Sequence, residues 1–127
     1  MNKPLRYLNN FFPIFYQKNI YEPLPIASLT KLVTALVITE NVSLDDTTIV
    51  SKQAVLTVGE AGNLIVGEEI TIKNLLSALL VESSNDAAVA LEDYFNEQVP
   101  ERTLVDAMNK KALEIGLSRT VFKNPSG

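Results

Sequence analysis

The sequence contains no cysteine and no histidine. Without cysteine there is no disulfide, no thiolate metal site and no cysteine nucleophile. Without histidine a Ser-His-Asp triad is excluded, and so are histidine-based zinc and haem sites. Any hydrolytic chemistry must therefore draw its base from Lys, Asp, Glu or Tyr. Long hydrophobic runs are lacking too. The longest apolar-rich stretch, Leu29 to Ile38, is too short to span a bilayer. The opening MNKPLRYLNNFFPIFYQKN has two early basic residues but no unbroken apolar core and no small-residue cleavage site, so no signal peptide is expected in it. No arginine-rich stripe appears and the net charge is −4, so nucleic acid is not an expected partner. No cofactor or metal is implied.

What is present suits one packed domain. The chain has 127 residues, 46% apolar and 20% charged, which is enough for a hydrophobic core. Phe11 to Tyr16 reads as a strand, placed at an edge by Pro13. Pro23 and Pro25 hold Tyr21 to Ile26 extended. From Ser28 to about Glu40 the pattern is helical, with Leu29, Leu32, Val33, Leu36 and Val37 on one face. Ala35 and Ile38 widen that face, so the helix should run through the core with Lys31 as its single interior charge. Val42 to Gly67 is mixed, with turn signals at Asp45-Asp46, Gly59, Gly62 and Gly67 and short extended pieces near Ile49-Val50 and Leu64–Val66. Thr71 is placed to cap a second helix, whose apolar positions Ile72, Leu75, Leu76, Leu79 and Leu80 fit a one-sided helix. Glu82 to Asp86 interrupts it. A third helix follows to about Glu97, with Ala88, Leu91 and Phe95 inward. Pro100 opens a fourth, with Glu101 in its first turn, Lys110-Lys111 near its last, and Gly116 as its stop.

Two short groups can carry chemistry. In Ser28-Leu29-Thr30-Lys31 the serine and lysine share a helix face, and the serine stands at the positive end of the helix. Apolar neighbours desolvate Lys31 and favour its neutral amine, a workable base for a serine hydroxyl. The plainer reading stands beside this one. Ser-x-x-Lys arises by chance in roughly half of chains this long. Ser28 alone serves as an ordinary N-cap, and Lys31 alone can reach out of an apolar helix to water. In Ser83-Ser84-Asn85, a hydroxyl can relay a proton and an amide can both donate to and accept from a peptide. Serine and asparagine are equally the usual capping residues.

Taken together, Ser-x-x-Lys opening a buried helix and Ser-x-Asn in an interhelix turn are two of the three motifs of penicillin-binding proteins and class A β-lactamases; the third is Lys-Thr-Gly. PLPIASLTKLVTALVITE, GEEITIKNLLSALLVESSNDAAVALEDYF and FKNPSG resemble successive segments of the low-molecular-mass D-alanyl-D-alanine carboxypeptidases, from about Ile14 to Gly127. The resemblance implies a mainly α chain with a few short strands. It would be the helical part of the serine β-lactamase/penicillin-binding transpeptidase-like α/β fold, with most of the β-sheet missing. It implies that Ser28 attacks the D-Ala–D-Ala carbonyl to form an acyl-enzyme, with the Ser28 N–H as one oxyanion donor. Lys31 would take the serine proton, Ser83 would pass a proton to the leaving D-alanine nitrogen, and Asn85 would hold the substrate amide and help orient Lys31. Water would then release the shortened peptide. The implied partners are peptidoglycan stem peptides ending in D-Ala-D-Ala, and β-lactam antibiotics. The implied location is the periplasm or outer face of the bacterial membrane.

The sequence departs from the family pattern at both ends. No Lys-Thr-Gly follows the first two motifs, and residues 1–13 do not match the family's first strand. The expectation is a single partial catalytic domain over 1–127 with a divergent segment 1–13. Its activity would be reduced or lost without the third motif, and it would self-associate through an apolar face normally covered by the sheet. Two other functions fit the same motifs. One is a class A-type β-lactamase, which would turn penicillin over quickly. The other is a truncated, non-catalytic binding module.

Overall fold

Capping side chains decide where most of the described α-helices begin. The computed structural model describes residues 15–59 and 62–127. Thr71, Ser84 and Thr103 each accept a backbone N–H at a helix start, opening α3 (Ile72–Val81), α4 (Asn85–Gln98) and α5 (Leu104–Glu114). Ser51 does the same for the short α2 (Lys52–Val55), an element with too few residues to leave a periodic signal. The first long helix, α1 (Thr30–Asn41), has no such cap; a single 3-10 turn, Ala27–Leu29, leads into it.

Two strands, β1 (Thr47–Ile49) and β2 (Glu69–Thr71), pair antiparallel with Thr48 opposite Ile70. The extended piece expected at Leu64–Val66 is displaced to β2, because the chain first turns at Val66-Gly67. Gly67 takes φ +83° there, and its N–H reaches the Val50 carbonyl at 2.9 Å. Tyr21–Ile26 is not uniformly extended: the Glu22 N–H closes a turn on the Asn19 carbonyl, and Pro23–Ile26 follow without regular structure. The strand expected over Phe11–Tyr16 lies mostly outside the described residues, and Phe15 and Tyr16 are not in a strand.

The helices pack α3 on α4, α1 on α5, α1 on α3 and α2 on α4. The core between them holds Ile38, Ile72, Leu75, Leu79, Leu91, Phe95, Leu104 and Met108. Tyr94 ties α4 to the loop before β1 by donating to Asp46 Oδ2 at 2.6 Å. Burial and the Asp46 carboxylate push the Tyr94 hydroxyl up to about 12.

Three expectations about helix faces and ends are corrected. The buried side of α1 is Lys31, Thr34, Ala35 and Ile38 with Val37, whereas Leu29, Leu32 and Leu36 face outward. On a helix apolar nearly all round, periodicity cannot tell which side meets the other helices. Leu80 is half exposed, so α3 buries four of its five expected positions. The fourth long helix begins at Leu104, not at Pro100, which lies in the preceding turn with Glu101. There Thr103 and Asp106 form a reciprocal capping box, which satisfies two backbone N–H groups that Pro100 could not serve.

Candidate active site

Ser28 lies in the 3-10 turn and Lys31 in the first turn of α1. Their three-residue spacing brings Lys31 Nζ to 3.0 Å from Ser28 Oγ. Ser28 is not a helix cap: the N-cap position of α1 is Leu29, and no side-chain cap bond is made there. Nor does Lys31 reach out to water, since it is 3% exposed. Its Nζ donates to Ser83 Oγ at 3.3 Å and to the Ser126 carbonyl at 3.2 Å. The lysine is therefore where α1, the α3–α4 turn and the last residues of the chain meet. Burying a polar amine is costly unless polar atoms surround it, and these oxygens serve that purpose.

The α3–α4 turn brings Ser83 to the lysine. Only Glu82, Ser83 and Ser84 separate the two helices. Such a tight reversal puts Ser83 at φ +56°. Ala27, immediately before the nucleophile candidate, is at φ +44°. Left-handed backbone at non-glycine residues costs on the order of 1–3 kcal/mol each and gathers where side chains must be aimed. Ser84 points the other way. It is fully buried and caps α4 through the Ala87 N–H.

Asn85 opens α4 and donates through Nδ2 to the Val58 carbonyl at 3.1 Å. The loop around Val58 fits closely there: Gly59 is at φ +114°, and a Cβ on it would run into the Asn85 amide. Asp86 holds the far side of this loop. Its carboxylate accepts from Gly62 N at 2.8 and 3.0 Å, Leu64 N at 3.4 Å, Ala87 N at 2.8 Å and the Ser84 hydroxyl. Burial alone would push this carboxyl up, but the bonds from Ser84, Gly62, Ala87 and Leu64 outweigh it and hold the group below its ordinary value.

The C-terminal segment completes the surroundings of Lys31. Phe122 is buried, and its N–H and C=O both bond to the Asn109 side chain of α5. Thr34, one turn beyond Lys31, donates to the Pro125 carbonyl at 2.7 Å. Gly127 lies against the Ala27 carbonyl, with no room for a Cβ. Sequence reasoning placed Ser28, Lys31, Ser83 and Asn85 near one another but had no means of finding the Ser126 carbonyl, because a backbone acceptor leaves no mark in the residue pattern. Asp86 was legible only as part of the break between two helices. The loop from Val58 to Leu64 was legible only as glycines.

A buried lysine between two serine hydroxyls is the equipment of histidine-free acyl transfer to serine. Residues 10–127 match the family described as D-alanyl-D-alanine carboxypeptidase, and the chain belongs to that family. It is 39% identical over 119 residues to the D-alanyl-D-alanine carboxypeptidase DacF of Bacillus subtilis, covering 90% of this chain and 30% of that protein. A D-alanyl-D-alanine endopeptidase of Pseudomonas aeruginosa is 31% identical over 116 residues, covering 90% of this chain and 37% of that protein. The fold superposes on penicillin binding protein 5 from Haemophilus influenzae with a TM-score of 0.79 and 27% identity, covering 91% of this chain and 35% of that one. The chain thus spans about a third of the length of the curated relatives it matches. The architecture is the expected one, mainly helical with a two-stranded sheet, and corresponds to part of the penicillin-binding fold.

Proposed function

We propose that this chain is a partial catalytic domain, over 1–127, of a serine-type D-Ala-D-Ala carboxypeptidase that trims peptidoglycan stem peptides outside the cytoplasmic membrane. One observation carries the reading: Lys31 Nζ, buried, lies 3.0 Å from Ser28 Oγ and 3.3 Å from Ser83 Oγ. In the proposed reaction the neutral Lys31 amine takes the Ser28 hydroxyl proton while Oγ bonds to the carbonyl carbon of the penultimate D-alanine. Negative charge grows on the carbonyl oxygen near the Ser28 N–H at the head of α1, where the helix dipole favours it. Ser83, within reach of Lys31, relays the proton to the departing nitrogen as the C–N bond breaks. D-alanine leaves and the shortened peptide remains as a Ser28 ester. Water then attacks the ester, returning the proton to Ser28 and freeing the peptide. Asn85 is proposed to hold the substrate amide. Its Nδ2 bond to the Val58 carbonyl fixes the amide, whose Oδ1 can accept from a ligand N–H.

A β-lactam presents a strained amide to the same nucleophile and should leave a stable ester on it. Intact mass spectrometry after incubation with penicillin is the test. An adduct of one penicillin on the chain, absent from Ser28→Ala, is the expected outcome. No adduct on a folded sample would overturn catalysis by this chain. An adduct that forms and clears within seconds would favour a β-lactamase instead.

A further inference from the structure

The segment Phe122–Gly127 has no part in the proposed reaction, yet it touches α1 and the turn leading into it at three levels. Its Pro125 carbonyl accepts from Thr34 Oγ1, its Ser126 carbonyl accepts from Lys31 Nζ, and Gly127 lies on the Ala27 carbonyl next to Ser28. Asn124 gives this segment its shape. Its Oδ1 accepts from Ser126 N at 3.0 Å, Gly127 N at 2.6 Å and Ser126 Oγ at 3.2 Å. Those bonds fold the chain back on itself and turn two successive carbonyls toward α1. The other end of the segment is fixed independently, by the paired bonds of Asn109 to Phe122.

We infer that Asn124 is a positioning residue for Lys31: by closing the Asn124–Gly127 turn it sets the Ser126 carbonyl as a fixed acceptor that aims the lysine amine at Ser28. The inference rests on the proposed role of Lys31 as base. A neutral amine has two N–H bonds and one lone pair. In the proposed reaction the N–H bonds go to acceptors such as the Ser126 carbonyl and the Ser83 hydroxyl, and the lone pair serves the Ser28 proton, 3.0 Å away at Oγ. Without the turn, the lysine amine loses one fixed acceptor and its aim at Ser28 is less closely set. A misplacement of about 1 Å at a reacting group costs on the order of 100-fold in rate.

All the groups that bond to Asn124 Oδ1 are donors, so an aspartate carboxylate can replace the amide and an alanine cannot. This separates positioning from bulk structure. In the intact chain, Asn124→Ala is expected to slow the acylation step by penicillin about 10- to 100-fold, with the prior binding constant within about twofold. Asn124→Asp is expected to restore it to within about threefold. A second measurement does not depend on acylation. The 13Cε NMR signal of Lys31, assigned by its loss in Lys31→Arg, is expected to move in Asn124→Ala and to return in Asn124→Asp, with the Leu91 and Ile38 methyl signals unmoved. If the wild-type chain forms no adduct, the proposed catalysis fails but the NMR comparison still decides this inference. An Asn124→Ala chain whose Lys31 signal matches wild type overturns it, as does one in which Asn124→Asp fails to bring that signal back.

Discussion

Asp86 shows how much one buried carboxylate organises. It is 3% exposed, and its oxygens gather the Gly62, Leu64 and Ala87 N–H groups and the Ser84 hydroxyl. The same loop passes over Asn85, so the carboxylate fixes the surroundings of the amide proposed to meet substrate. Its folded-state pKa is depressed relative to the unfolded chain. The charged form is therefore favoured by folding. The stability it lends is present above the unfolded carboxylate value and is lost as pH falls through the lower folded value. Asp86→Asn keeps the shape but turns an amide donor onto backbone donors. It should cost about 2–3 kcal/mol near neutral pH. Urea unfolding at a series of pH values checks this: the gap between wild type and variant should close as the solution is acidified below pH ~4. A gap independent of pH would mean that the loss is steric.

Among the elements, α5 illustrates how a local signal can be overruled by a better one nearby. Proline favours the first helical position because it has no N–H to satisfy. Here the reciprocal pair Thr103 and Asp106 lies three residues further on, and satisfying two N–H groups outweighs sparing one. Leu104, the first residue of the helix, is fully buried, and its N–H is taken by Asn96 of α4 at 2.8 Å, so tertiary contact reinforces that start. Thr103→Ala should lower stability by about 1 kcal/mol, read as a shift of the urea midpoint. Glu101→Ala, in the exposed turn before the helix, should leave the midpoint within about 0.5 kcal/mol. Equal losses from the two would place the working helix start back at Pro100. By contrast, the starts of α3 and α4 were readable from Thr71 and from the Glu82–Asp86 break, because there the cap and the apolar period agree.

Over the whole molecule, the outward side of α1 presents a run of exposed leucines. Leu29, Leu32 and Leu36 follow one another along that side at 62%, 59% and 37% exposure. We propose that this stripe makes the chain self-associate, since apolar surface of this kind seeks cover. Sedimentation velocity should show mass rising with concentration, and Leu32→Glu should abolish the rise while leaving the helical circular dichroism intact. Association unchanged by Leu32→Glu would place the contact elsewhere. The residue pattern by itself determined the two short motifs, the caps of α3 and α4, and the adjacency of Ser28 to Lys31, because each depends on residues within one helical turn. It could not determine that Lys31 and Thr34, rather than Leu32 and Leu36, turn inward on α1. That side is selected by partners far along the chain: the hydroxyl of Ser83, the thioether of Met108, and the Pro125 and Ser126 carbonyls. Tertiary structure alone brings these to α1, because hydrogen bonds and close packing act over a few ångströms of space whatever the separation in sequence.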